Sequence, residues 1–313
     1  MAELLKGAPV AASLQEHSAQ SCQMLQAQGI QPTLAIVRVG ERSEDLSYEK
    51  GILKRAEAVG VAVQSFVLEP TCTTRDLLDV IERINADVSI HGCLIFRPLP
   101  TLMDERRVCA AVAPEKDIDG ITPSSLYGVF AQQSIGFAPC TAEAVMRLLD
   151  FYQLDLQGKH VVVIGRSLVV GRPLASLLLA RHATTTICHT KTTGLEDITA
   201  SADIVVVAAG KARMFTQAAA GFGQVIVDVG IHFDPAINKL IGDVAFDEVE
   251  PVVDAITPVP GGVGSVTSAV LIDHVVRAAK LSAEKPDASA AAAEKPDASA
   301  VNHTASEGKL SCH

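Results

Sequence analysis

The chain contains no tryptophan and, among its 313 residues, only three tyrosines and nine phenylalanines. A core so poor in aromatic rings must be filled by Ala, Val, Leu and Ile, which suits an α/β enzyme. Positive charge is also short: 26 Lys and Arg stand against 36 Asp and Glu, a formal net charge of −10. That balance argues against nucleic acid or an anionic membrane as a main partner. No stretch approaches the roughly 18 uninterrupted apolar residues of a membrane-crossing helix. The first residues include Glu3 and Lys6 and no apolar run of leader length, so a cytoplasmic protein is expected. The seven cysteines, at 22, 72, 93, 109, 140, 188 and 312, form no C-x-x-C pair. They read as reduced thiols, with neither a disulfide framework nor a zinc site, and no metal is expected.

What is present is alternation. Apolar residues at helical spacing over 11–28 end at Gly29, and TLAIVRVG (33–40) reads as a buried strand. A helix over Ser43–Val59 closes at Gly60, VAVQSFVLE follows as a strand, and Thr74–Ala86 reads as a helix capped by Thr73 or Thr74. SIHGCLIFRPLP (89–100) is a strand running into a Pro-rich loop, which puts residues 95–100 at a strand's C-terminal edge, where open α/β sheets take ligands. A helix near 104–112 precedes the loop PEKDIDGITP. Further on come a helix over 141–152, strands at 160–164, 184–190, 203–210 and 225–230, and helices from 171, near 194–200 and over about 265–279. Strands alternating with helices predict a two-domain, doubly wound α/β protein with parallel sheets. After Leu281 the octapeptide AEKPDASA occurs twice without large apolar residues, and a disordered tail over 282–313 is expected.

The segment from Lys159 to Arg181 organises the second half. A β-branched strand ends at Gly165, and Arg166 and Ser167 precede Gly171, Pro173 and an Ala/Leu-rich helix. Strand, glycine turn and helix N-terminus in that order make an anion site, because unpaired N–H groups and the helix dipole face the turn. The dinucleotide fingerprint wants a third glycine between the other two, and Ser167 stands there. Alone, the stretch is equally a plain crossover unit.

GRSLVVGRPLASLLL, TTTICHTKT, VVVAAGK, VIVDVGI and TPVPGGVGSVT, with KDIDG and FAPCT in order before them, resemble the bifunctional methylenetetrahydrofolate dehydrogenase/cyclohydrolase family over about residues 1–280. The resemblance implies a Rossmann-type NADP domain over 141–264, and a folate-binding catalytic domain over 1–140 plus 265–281. It implies a cleft between them, a homodimer, and oxidation of methylenetetrahydrofolate. Tyr48 and Asp119 would be catalytic, Tyr48 stacking on the ligand and Asp119 accepting N–H bonds from the pterin. Ile95, Phe96 and Arg97, with Pro260, Gly261, Gly262, Val263 and Gly264, would complete the substrate site. Gly165, Arg166, Ser167, Thr190 and Ile231 would hold the cofactor. Arg166 and the lack of an acid at His189 or Thr190 favour NADP over NAD. Without the resemblance, Tyr48 is also explained by core packing and Asp119 by the turn before Gly120, though Asp117 fits that role better.

Two departures bear on activity. The family's Tyr-x-x-x-Lys becomes Tyr48 and Ile52, and its partner Gln becomes Phe96, next to Arg97 in place of Leu. At about 100° per residue, Lys50 and Lys54 lie off Tyr48's face. Hydride transfer needs two rings held in contact, whereas adding water to the methenyl product needs proton transfer. The reading is therefore an NADP-dependent dehydrogenase with weak or absent cyclohydrolase. The alternatives are a fully bifunctional enzyme using Lys50 or Lys54, and a folate- or nucleotide-binding protein without turnover.

Overall fold

The computed structural model describes residues 2–284. Strand β1 (Glu3–Leu4) leads to α1 (Gly7–Ala27), β2 (Thr33–Val39), α2 (Ser43–Val59), β3 (Ala62–Leu68), α3 (Thr74–Ala86) and β4 (Gly92–Ile95). Then follow α4 (Glu105–Ala110), α5 (Pro123–Ala131), α6 (Cys140–Phe151), β5 (His160–Ile164), α7 (Gly171–Ala180) and β6 (Thr184–Cys188). The next elements are α8 (Leu195–Ala200), β7 (Ile204–Val207), β8 (Val225–Asp228), β9 (His232–Asp234) and β10 (Lys239–Ile241). The last are α9 (Phe246–Val249), β11 (Ala255–Ile256) and α10 (Val263–Glu284).

These elements build two parallel sheets, as the α/β alternation predicts, and a separate antiparallel pair of β9 and β10. The smaller has the order β3-β2-β4 and the larger β1-β11-β8-β7-β5-β6. All seven residues of β2 and all four of β7 are buried, which is why both sequences are mostly apolar rather than alternating, with Thr33 and Arg38 the exceptions in β2. From β5 the chain steps outward to β6, then returns across β5 to β7. The strand order therefore reverses at the C-terminal ends of β5 and β7, the crevice where such sheets bind ligands.

One apolar cluster joins the two sheets. It contains Leu34 and Ile36 of β2, Val161 and Val163 of β5, Leu148 and Leu149 of α6, and Val270 and Val275 of α10. Helix α10 thus returns from the larger sheet to pack on the smaller lobe. The N-terminal segment crosses in the opposite sense: Glu3 and Leu4 pair with β11 of the larger sheet, and the Gly7 N–H donates to the Gly261 carbonyl at 2.7 Å as α1 begins. A Cβ at Gly7 would overlap the Gly262 carbonyl oxygen, so only glycine lets the two backbones meet.

Several boundaries move from their expected places. Helix α1 starts at Gly7, and α10 runs from Val263 to Glu284. Val263 and Gly264 are therefore the first helical turn rather than loop, and residues 282–284, expected in the tail, continue the helix. The rest of the tail, with its repeat, lies outside the described residues. Helix α5 was not anticipated, yet it carries a legible start: Thr122 Oγ1 accepts the Ser125 N–H at 3.0 Å and Pro123 takes the first helical position. Strands β1, β9, β10 and β11 have two or three residues each, too few to show a period. Among the described residues the cysteines are free thiols, five of them buried and Cys72 partly so.

Candidate active site

The KDIDG loop is built to hold one carboxylate in place. Lys116 is buried and its ammonium donates to the carbonyls of Ile84, Asn85 and Asp87 (2.6, 3.0 and 2.6 Å), which caps the C-terminus of α3. Asp117 is fully buried and accepts from the N–H groups of Ile121 and Thr122 (3.0 and 2.8 Å) and from the Ser125 hydroxyl (2.6 Å). The bland turn role expected for Asp117 is thus the one it plays. Asp119, two residues on, is left facing Arg97, whose Nη2 lies 3.2 Å from its Oδ2. Burial pushes the Asp119 carboxyl up from its ordinary pKa, and Arg97 opposes the shift.

Helix α2 supplies the wall opposite. Glu49 accepts from Arg38 Nε of β2 (2.9 Å) and the Ser65 hydroxyl of β3 (3.0 Å), which pins that side of the helix to the sheet. Its neighbour Tyr48 turns outward, 44% exposed, with its ring 5.4 Å from that of Phe96. Desolvation and the nearby Asp119 carboxylate raise the Tyr48 hydroxyl's pKa, so it stays protonated. Ile52 and Phe96 are both buried and belong to the cluster that joins the sheets, so both positions carry hydrocarbon. Ile95 is buried in a different cluster with Ala35 and Val37, away from Tyr48.

A cavity of about 790 Å³ lies between this wall and the larger lobe. Tyr48, Ile52 and Arg55 line it from α2, Val229 and Ile231 from the end of β8, and Val263 and Gly264 from the start of α10. Lys54 borders it too, although its angle around α2 set it off Tyr48's face. The cavity is broad enough to take in more than one side of the helix, which corrects that expectation. Arg55, two turns after Tyr48, donates to Gln15 Oε1 at 3.3 Å. The sequence reading passed over Arg55; its seven-residue spacing from Tyr48 was the available signal.

The glycine turn sits where the larger sheet reverses. Gly165 has φ +133°, and a Cβ there would overlap the Ala208 carbonyl oxygen at the end of β7. A Cβ at Gly171 would in turn overlap the Gly165 carbonyl oxygen. The Ser167 hydroxyl accepts the Val170 N–H at 3.0 Å, shaping the loop from within. Arg166 and Thr190 are exposed at the C-terminal ends of β5 and β6, and Arg166 makes no ion pair among the described residues. His189 is tied into its own loop by Lys191 N–H on Nδ1 (3.1 Å), as its reading as a loop residue expects. A turn of backbone amides, a free guanidinium and a hydroxyl with no adjacent acid fits a phosphorylated dinucleotide.

Two family models cover the chain in turn. The tetrahydrofolate dehydrogenase/cyclohydrolase catalytic domain matches residues 5–119, and the NAD(P)-binding domain of the same name matches 139–283. The chain belongs to this family. It is 44% identical over 283 residues to the bifunctional protein FolD of Clostridioides difficile, covering 90% of this chain and 98% of that one. It is 47% identical over 282 residues to FolD of Carboxydothermus hydrogenoformans, with the same coverage. Among solved structures, the FolD methylenetetrahydrofolate dehydrogenase/cyclohydrolase of Campylobacter jejuni superposes with a TM-score of 0.87 at 37% identity, over 90% of this chain and 99% of that one.

A buried ionic knot not foreseen from the sequence supports the loop that carries Asp119. His274 of α10 is fully buried, with Nδ1 2.8 Å from the Ile118 carbonyl oxygen and Nε2 2.9 Å from Glu143 Oε2. The ring thereby bridges the Ile118 carbonyl of the loop to Glu143 of α6. Arg147 and Arg277 close on Glu143 Oε1 at 2.7 and 3.1 Å. Burial alone would raise the Glu143 pKa, but its contacts with His274, Arg147 and Arg277 outweigh it and hold the carboxyl well below the usual range.

A carboxyl depressed in the folded state contributes stability that is present at neutral pH and is lost as pH falls. Glu143→Gln is expected to cost about 1–3 kcal/mol at pH 7, because buried His274 loses its charged acceptor, while Arg147 and Arg277 are partly solvated and keep Asp273 nearby. In urea titrations the gap to the parent protein should narrow as pH drops below about 4.3, the ordinary glutamate value. A gap that stays constant to the lowest pH at which the protein folds would remove this role.

Proposed function

We infer that this enzyme oxidises 5,10-methylenetetrahydrofolate to the methenyl form with NADP, and that its cyclohydrolase activity is weak or absent. One observation supports the first part above the rest: Tyr48, set against Phe96 near Asp119, and Ile231, at the end of a nucleotide-type sheet, line one cavity. A substrate held on one wall then meets a nicotinamide held on the other. The FolD of Trypanosoma brucei, 32% identical with a TM-score of 0.84, was solved with NADP and an inhibitor. The division we propose keeps 1–140 plus 265–281 as the folate domain and 141–264 as the nucleotide domain. A homodimer in the cytoplasm belongs to the same reading.

In it, Asp119 accepts the N–H donors of the pterin edge, and Tyr48 lays its ring against the folate. Pro260, Gly261 and Gly262 bring bare backbone close to a flat ligand, and Val263 and Gly264 continue that wall as the first turn of α10. The side chain of Ile95 packs inward, so only its backbone is available to ligand. NADP supplies the hydride acceptor when bound. Gly165 and Ser167 shape its phosphate turn, Ile231 supports it through backbone, and Arg166 with Thr190 takes the ribose phosphate. The protein need only hold the rings together, because the nitrogens flanking the one-carbon bridge stabilise the cation that forms.

The test is the rate of reduced-nucleotide formation, NADPH from NADP and NADH from NAD. Arg166→Ala should raise the KM for NADP about 100-fold, the loss of a charge-assisted phosphate contact of roughly 3 kcal/mol. It should leave the NAD reaction within a factor of about 3. Equal losses with both nucleotides would show that Arg166 does not read the phosphate. Absence of turnover with either nucleotide would favour a binding protein.

A further inference from the structure

Arg97 stands one residue beyond Phe96, two residues after the strand that ends at Ile95. Its guanidinium makes a single contact with the Asp119 carboxylate, Nη2 to Oδ2 at 3.2 Å, with the two side chains 26% and 22% exposed. An ionised carboxylate has about four lone-pair sites. One N–H from Arg97 occupies one of them and the Cys140 thiol takes another, which leaves about two for a ligand. We propose that Arg97 is a positioning residue that keeps Asp119 charged and turned toward the folate pterin. This rests on the reading that Asp119 receives the pterin.

The argument is one of charge balance. Asp119 lies in a loop whose other carboxylate, Asp117, points away into three hydrogen bonds with Ile121, Thr122 and Ser125. The groups facing Asp119 from neighbouring elements are Tyr48 of α2, Cys109 of α4 and Cys140 of α6. Each of these is neutral near pH 7, since burial pushes the tyrosine and both thiols upward. The nearby helix position that carries a lysine in the resembling motif holds buried Ile52. Arg97 is therefore the cation that offsets the desolvation of Asp119. A protonated Asp119 keeps its carbonyl oxygen as an acceptor but turns the other oxygen into an O–H donor, so it could no longer accept an N–H at both oxygens. Arg97 cannot serve as a base, since guanidinium does not give up its proton in proteins. Its influence on the reaction passes through Asp119.

The experiment is the pH profile of kcat/KM for methylenetetrahydrofolate at saturating NADP, in the full chain. The variants are Arg97→Leu, Arg97→Gln and Arg97→Lys, with Asp119→Asn as control. Removing the charge should move the acid limb of the profile up by about one pH unit in the Leu and Gln variants, as for a carboxylate losing an adjacent cation. The change should appear in KM more than in kcat, and Lys should return the limb to its original place. The Gln variant keeps a hydrogen-bond donor without charge, so it still answers the question if the Leu variant does not fold. Acid limbs that coincide with the parent in both neutral variants would overturn the proposal. If Asp119→Asn leaves the folate KM unchanged, the underlying assignment of Asp119 fails instead. A raised KM in that variant with unmoved limbs in the others refutes the role of Arg97 alone.

Discussion

Hydrolysis of methenyltetrahydrofolate by the purified enzyme, after subtraction of the spontaneous rate, is expected to run at least about 100-fold below its NADP-dependent dehydrogenase rate. The factor is the lower end of what a positioned acid or base contributes. The reason is the pair Ile52 and Phe96, both buried in one apolar cluster beside Tyr48. Neither can move a proton. Ile52→Lys with Phe96→Gln should raise hydrolysis, and the dehydrogenase rate should change less. One specific feature favours the bifunctional alternative: Lys54 borders the same cavity. If hydrolysis keeps pace with oxidation in the parent protein and collapses in Lys54→Met, then that lysine does the work and the dehydrogenase-only reading is wrong.

Replacing Gly165 by alanine should damage both folding and cofactor binding. The residue sits at φ +133°, where a side chain is strained, and the added carbon would lie 2.9 Å from the Ala208 carbonyl carbon and closer still to its oxygen. Strain and overpacking together predict a loss of about 3 kcal/mol. The turn between β5 and α7 must open to relieve the clash, and the amides aimed at the phosphates move with it. NADP binding measured by calorimetry should weaken about 100-fold, the usual value of a few lost hydrogen bonds to charge. The folate wall, tens of residues away in sequence, should keep its ligand. A variant that binds NADP as tightly as the parent would show that the strand ends have room to spare.

Much of the fold is legible because buried parallel strands are written as mostly apolar runs without alternation: TLAIVRV, HVVVI and IVVV are each found as strands. The turn at Gly165 and Gly171 is legible for the related reason that only glycine survives two backbones in contact. What escaped notice depends on partners distant in the chain. His274 reads as an ordinary helix residue until Ile118 and Glu143, over 130 residues away, close on it. Lys116 stands in a motif that drew attention to its aspartates, and its task at the end of α3 is set by tertiary contact. Lys54 was set aside on helical angle, which fixes a direction but not how wide the opposing space is. The short strand β1 has no pattern at all, since its pairing is decided by β11.

The crossing of the N-terminal segment and of α10 between the two lobes limits how this enzyme can be divided. Severed near residue 140, the C-terminal fragment would take α10 with it, stripped of α1, and would present Val266, Val270 and Val275 to water. It would also lose Glu3 and Leu4, leaving β11 as a bare edge open to other strands. The N-terminal fragment would lack the helix that roofs its own sheet. Neither piece is a self-sufficient unit, so exchange of one lobe between relatives must carry the first six residues and the last helix across together.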